Sequence, residues 1–279
     1  MAVTLVARHS PVTGTDTTSP THVSPERSDL SAGEPVPREG GSKPRILLIV
    51  NPMATTVSHR LKNLVVYALR GRYHVDAVET ESRNHATALT RDAATDSYDL
   101  VVAFGGDGTV NEAANGLVSS STPLAILPGG STNVVCRLLG IPTDVVDATE
   151  RLISFGDRLP TRSIDLGRVG DRYFVSSSGV GLDAEITRWV DERPPLKARG
   201  GPLTYAYGAL TALRREYAGK PARIAVEAGG QHVEGVTAVI QNSDPFTYFG
   251  SRPVRVCEDV AIDSGTLSMT VFRRASQRD

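Results

Sequence analysis

Two glycine-rich turns carry the residue types most able to do chemistry. One is Gly105-Gly106-Asp107-Gly108-Thr109, followed by Val110-Asn111-Glu112; the other is Pro128-Gly129-Gly130-Ser131-Thr132-Asn133. Three glycines in four positions let the backbone take φ > 0 and approach a ligand without Cβ contacts. Backbone N–H groups that open onto a helix N-terminus make an anion site. Two such turns can grip one polyphosphate from two sides. Asp107 is out of place beside a bare phosphate, because like charges repel. A bridging Mg²⁺ removes the conflict, and so does a role in accepting the proton of a substrate hydroxyl. Structural roles compete with these. Thr109 followed by Glu112 fits a capping box, and Ser131 or Thr132 fits a helix cap.

The elements that must position these turns are legible around them. Arg45–Val50 (RILLIV) is a continuous branched apolar run, which predicts a strand buried on both faces. Asn51-Pro52 ends it, since proline pushes the preceding residue out of the α region. His59–Leu69 has a helical apolar stripe at 61, 64, 65, 68 and 69. Tyr73–Thr80 alternates as a strand does, and Asn84–Ala94 reads as a second helix. Leu100–Phe104 and Leu124–Leu127 are further apolar strands. Repeated strand–helix units imply a mainly parallel sheet. Ligands of such sheets bind beyond the carboxyl ends of the strands, and both glycine-rich turns follow a strand.

Composition excludes several classes. The chain has 279 residues, with 30 Lys+Arg against 31 Asp+Glu. That balance gives no global field for nucleic acid, which is not an expected partner. Two cysteines cannot build a disulfide framework, so a reducing, cytoplasmic compartment is expected. The longest strong aliphatic run is Ile46–Val50, far short of the roughly 20 residues that span a bilayer. Residues 1–43 hold 21 Ser, Thr, Pro or Gly and no aromatic residue, which predicts a disordered tail. The rest divides into an α/β nucleotide-binding domain over 44–160 and a second domain over 161–279.

Common nucleotide motifs are missing. There is no Gly-x-x-x-x-Gly-Lys-[Ser/Thr], and no Gly-x-Gly-x-x-Gly opens the first helix. A P-loop protein, a protein kinase and a simple dinucleotide-binding domain are disfavoured.

Asn51-Pro52, Thr80 with His85-Ala86, Gly105–Thr109 with Asn111-Glu112, and Pro128–Asn133 together resemble the diacylglycerol kinase catalytic family. Gly-Gly-Asp-Gly-Thr alone is shared with NAD kinases and related phosphofructokinases. The Pro-Gly-Gly-Ser-Thr-Asn turn is the more specific feature. The resemblance implies an α/β fold: an N-terminal Rossmann-like domain of the NAD kinase/diacylglycerol kinase type, then a C-terminal mainly-β sandwich. It implies ATP and Mg²⁺ as cofactors, with the γ-phosphoryl passed to a lipid hydroxyl such as that of diacylglycerol or a sphingoid base. The lipid would be met at a membrane surface, by an enzyme peripheral to the inner face, with a homodimer admissible. Carried over by position, Thr80, Gly105, Gly106, Asp107, Gly108, Thr109, Val110 and Asn111 contact ATP. Gly130, Ser131, Thr132 and Asn133 form the second nucleotide loop, and Asn51 shapes the site. Asp107 is the catalytic candidate. An NAD kinase-like enzyme and a nucleotide-binding chain without transfer activity are the alternatives.

The second half has short strand-like segments at 164–169, 172–176, 221–227, 236–241 and 267–272. Leu203–Tyr217 predicts a helix, and Asp191–Pro202 a mobile loop before it. Arg193, Lys197, Arg199, Arg214, Arg215, Lys220 and Arg223 make a basic stretch there, either a solvated surface or a contact for anionic headgroups. Ser178 stands where the family has an Asn. The family's Asp-Gly turn with a structural Mg²⁺ corresponds to Asp263-Ser264-Gly265, which makes Asp263 the metal candidate. The family's later Asp-Gly-Glu segment, source of its proposed general base, has no counterpart before Asp279, so the chain reads as truncated and its second domain as incomplete. The cysteines and histidines have no metal-ligand spacing.

Overall fold

A computed structural model describes residues 2–6, 43–156, 159–191, 193, 224–228, 230–257 and 260–273. The expected helix at 203–217 and nearly all of the loop and basic stretch before and around it lie outside the described residues.

The apolar runs become the central strands. β2 (Arg45–Val50), β3 (His74–Glu79), β4 (Leu100–Gly105) and β5 (Leu124–Pro128) are parallel and lie in the order β3-β2-β4-β5. Helices α1 (His59–Arg70), α2 (His85–Thr95) and α3 (Asp107–Leu117) make the crossovers between them. With helices on its faces, β2 has nowhere to show a polar side chain: Ile46, Leu48, Ile49 and Val50 are fully buried, as are Val101–Phe104 of β4. Each such side chain contributes about 1.5–3 kcal/mol on burial. The next helices are α4 (Val134–Leu138) and α5 (Val145–Ser154), the latter capped by Asp144, whose carboxylate accepts from the N–H groups of Val146 and Asp147.

The sheet does not stop at β5. Ala2–Val6 forms β1, antiparallel to β5 and parallel to β6 (Thr161–Asp165), so the full order is β3-β2-β4-β5-β1-β6. The expectation of a disordered tail over 1–43 is corrected for these five residues. Their sequence, AVTLV, is strand-like; averaging it with the Ser/Thr/Pro-rich residues that follow hides the signal.

The second half is antiparallel. β12 (Thr237–Gln241) sits between β9 (Ser177–Gly181) and β15 (Ser268–Phe272). Three two-stranded ribbons accompany it: β7 (Gly167–Val169) with β8 (Arg172–Phe174), β10 (Ile224–Ala228) with β11 (Gln231–Gly235), and β13 (Thr247–Phe249) with β14 (Arg252–Val254). A helix not expected from sequence, α6 (Leu182–Asp191), follows β9. Among the described residues, no helix is long and apolar enough to cross a membrane.

Candidate active site

The carboxyl ends of the four central strands are tied into one rim. Thr80 N–H donates to Val50 C=O at 2.8 Å, and Asn51 N–H to Phe104 C=O at 2.9 Å. Gly129 N–H donates to Gly105 C=O at 2.8 Å, and Thr56 N–H to Gly129 C=O at 3.0 Å. Thr80, Asn51 and both glycine-rich turns are therefore brought together. Asn51 does most of the local bracing: its Nδ2 donates to Thr109 Oγ1 at 2.9 Å, and its Oδ1 accepts from Met53 N–H at 2.9 Å.

The glycines are there for a different reason than sequence suggests. None of the glycines in either turn has a positive φ. Gly106 is extended, with φ −87° and ψ −178°. What requires glycine is the approach of one turn to the other. A Cβ on Gly129 would lie 2.8 Å from Gly105 Cα, and one on Gly130 would lie 2.8 Å from Gly106 Cα. The two turns pack backbone against backbone. Gly108 is the exception: a Cβ there meets nothing within 4 Å, and the residue is exposed.

This packing sets the start of α3 beside the second turn. The N-cap of α3 is Gly106, which has no side chain to close the first-turn N–H groups. The capping box read into Thr109 and Glu112 does not form, because Thr109 lies inside α3 and its hydroxyl is taken by Asn51. Across the rim, Ser131 is exposed and Thr132 half-buried. Asn133 holds their turn in shape. It adopts the left-handed conformation, φ 50° and ψ 54°, which Asn tolerates better than most residues. Its Oδ1 accepts from Gly130 N–H at 2.9 Å and its Nδ2 donates to Gly130 C=O at 2.8 Å. Asn133 is thus a brace for the loop.

Asp107 links the two turns. Its Oδ1 accepts from Val135 N–H, in the first turn of α4, at 3.1 Å. Burial pushes its carboxyl above the usual carboxylate range, against the N–H groups of Val135 and Val134 and the Arg137 guanidinium, which favour the charged form. The residue is half-buried. Beside it, Cys136 is buried, and its thiol is pushed up to about 12, chiefly by desolvation and then by Asp107; it is no nucleophile.

Residues 45–169 match the diacylglycerol kinase catalytic domain. Over that stretch, a little under half of the chain, the sequence is similar to that family. It is 28% identical over 207 residues to a diacylglycerol kinase of Bacillus subtilis (strain 168), covering 73% of this chain and 65% of that protein. It is 30% identical over 162 residues to a diacylglycerol kinase of Staphylococcus haemolyticus, covering 57% and 47%. A solved diacylglycerol kinase structure from Bacillus anthracis str. Sterne superposes with a TM-score of 0.61 at 29% identity, over 82% of this chain and 73% of that one. The chain thus spans about half to two thirds of the length of these curated relatives.

Against the family pattern, two expected site residues are engaged elsewhere. Asn111 Oδ1 accepts from Val175 N–H at 3.0 Å and its Nδ2 donates to Tyr173 C=O at 3.2 Å. Its amide is spent on the second half of the chain. Asn115, one helical turn later, completes the clamp: it exchanges hydrogen bonds with both the N–H and the C=O of Tyr173, each at 2.8 Å. Asp263, expected as a metal ligand, pairs with Arg162, whose Nη2 lies 2.5 Å from Oδ2. An exposed carboxylate beside a guanidinium gains an ion pair there, and among the described residues no three His, Cys, Asp or Glu gather as a metal set.

Sequence reasoning missed Asn115, Asp165 and Asn242. Asp165 Oδ2 accepts from Gly265 N–H at 2.6 Å, and Asn242 Nδ2 donates to the carbonyls of Asp165 and Val175 at 2.8 Å each. The spacing of Asn111 and Asn115 on one helix face was a readable signal. Asp165 and Asn242 meet only through the fold.

Proposed function

We propose that this chain binds ATP on the two apposed glycine-rich turns and transfers its γ-phosphoryl to a lipid hydroxyl, such as that of diacylglycerol or a sphingoid base. The observation that carries the reading is the backbone-on-backbone packing of Gly105-Gly106 against Gly129-Gly130 beside an uncapped α3 N-terminus. Phosphate oxygens would be met there by the first-turn N–H groups of α3, which no side chain caps, and by the Ser131 and Thr132 hydroxyls. Gly108 leaves room for close approach. Thr80 and Asn51 close the β2–β3 side, where the nucleoside end of ATP would lie.

Mg²⁺ fits one way. It is commonly bound through one or two carboxylates together with substrate phosphates, and Asp107 is the carboxylate that would hold it. The ion would offset charge on the phosphates as transfer proceeds. The lipid oxygen forms the new bond to phosphorus, the bond to the β–γ bridging oxygen breaks, the hydroxyl proton is released and ADP departs. The raised Asp107 carboxyl suits the site, since a nearby positive ion would stabilise its charged form. Asn111 and Asn115 act at a distance, by fixing Tyr173 and Val175 against α3.

The lipid acceptor is favoured over NAD by Pro128–Asn133 and by the relatives named above. The test offers labelled ATP to diacylglycerol in mixed micelles, to a sphingoid base and to NAD. Label in lipid supports the reading. Label only in NAD, or binding without transfer, refutes it.

A further inference from the structure

The β13–β14 ribbon carries two exposed large apolar side chains, Phe249 and Val254. Its register pairs Thr247 with Val254, Tyr248 with Pro253, and Phe249 with Arg252. Opposed residues share a face of the ribbon, and faces alternate along each strand. One face therefore carries Tyr248 and Pro253, the other Thr247, Phe249, Arg252 and Val254. On the first face Tyr248 packs against the protein, with the Arg137 guanidinium 4.6 Å from the centre of its ring, while Pro253 at the ribbon edge is exposed. On the second, Phe249 is 60% and Val254 39% exposed and Arg252 is exposed beside them, while Thr247 is half-buried. From Pro245 to Cys257 the sequence has Arg252 and Arg255 and no acidic residue. Arg255 is paired with Asp244 at 2.9 Å. Arg252 thus sets the charge of the outward face.

We propose that this face docks on an anionic lipid bilayer, with Phe249 and Val254 entering the headgroup boundary and Arg252 meeting lipid phosphates. A second copy of the chain fits less well. Pro253 removes an N–H donor from β14, which blunts the ribbon as a template for strand pairing. A two-fold contact would also bring Arg252 toward its own copy. The ribbon connects back to the glycine-rich turns, since Arg137, under Tyr248, donates from Nε to Thr132 C=O at 3.1 Å. Docking would hold the second turn near the bilayer. The functional meaning rests on the lipid kinase reading; the docking itself does not.

Vesicle sedimentation of the full chain tests it, with no turnover required. Vesicles of equimolar phosphatidylcholine and phosphatidylglycerol should bind the protein and pure phosphatidylcholine should bind it far less. Phe249→Ser should weaken binding about tenfold, and Arg252→Gln about fivefold, in a salt-sensitive way. Tyr67→Ser, at an exposed site on α1, should leave binding unchanged. Absence of anionic-vesicle binding, unchanged binding of Phe249→Ser, or an equal loss in Tyr67→Ser would overturn the proposal. So would a change of oligomeric state in Phe249→Ser with vesicle binding intact. If binding behaves as expected but no lipid is phosphorylated, the docking surface stands and the kinase reading falls; the converse result separates them the other way.

Discussion

Asn51 Nδ2 donates to Thr109 Oγ1 at 2.9 Å, joining the end of β2 to the first turn of α3. Thr109 is also the wall against which Gly105 packs. A Cβ on Gly105 would lie 2.6 Å from Thr109 Oγ1 and 2.7 Å from its Cβ, while one on Gly108 meets nothing. Gly105→Ala should therefore cost about 1–3 kcal/mol through overpacking. Gly108→Ala should leave the melting temperature nearly unchanged. Thermal unfolding of the two variants side by side checks this.

Asp107→Ala is a poor test of chemistry, because it also removes the acceptor for Val135 N–H. A lost hydrogen bond to a charged group is worth about 1.5–3 kcal/mol. A loop carboxylate that faces a ligand would contribute little core packing; the bond of this one to α4 gives it a part in the fold. Asp107→Asn can keep an acceptor on Val135 while losing the charge. Phosphoryl transfer should fall at least about a hundredfold in Asp107→Asn while the melting temperature stays near that of the wild type.

The pH dependence of stability has a definite sign. Burial raises the folded carboxyl of Asp107 above its unfolded value. Its contribution is full below the unfolded value and is lost as pH rises through the raised folded one. Asp76, lowered chiefly by its hydrogen bond from Tyr98, and Glu79, lowered chiefly by that from Lys62, run the opposite way and lose stability as pH falls. Denaturant unfolding of wild type and Asp107→Asn across the acidic range isolates the Asp107 part. The wild type should gain stability relative to Asp107→Asn as pH falls toward the ordinary carboxylate range.

Asn115→Ala should free the N–H of Tyr173 and leave its C=O to Asn111 alone. The expected cost is about 1–3 kcal/mol. Amide exchange should accelerate at Tyr173 and Val175 before it does in β2 or β4.

The same comparison applies to β1. Because, among the described residues, β6 joins the sheet only through Ala2–Val6, Thr4→Pro, which removes a backbone donor from β1, should raise exchange across Thr161–Asp165. Unchanged exchange there would mean that β6 is held by other contacts.

The central strands and their helices were legible because buried parallel strands have no room for polar residues, so Arg45–Val50 and Leu100–Phe104 announce themselves. The site was legible as a place, at the ends of those strands, and as a set of turns. What sequence could not supply was the reason for each residue. Gly129 and Gly130 are small because of Gly105 and Gly106, a contact between segments far apart in the chain. Asn111 and Asn133 carry amides that could have met a ligand, and only the fold shows them turned to Tyr173, Val175 and Gly130. The five-residue β1 was hidden by its neighbours' composition. Asp263 drew attention by its place before a glycine, whereas the carboxylate that holds that turn is Asp165, through Gly265 N–H.

The most direct measurement of the central claim is calorimetric titration of ATP with Mg²⁺ into the wild-type chain and into Gly108→Val, at matched folded concentration. If the apposed turns hold the phosphates, the wild type should bind saturably. Gly108→Val should then lose at least about tenfold in affinity, a shift of about 1.4 kcal/mol, without a fall in melting temperature, since its side chain has space in the free protein. No binding at millimolar nucleotide, or equal binding by both proteins, would contradict the account.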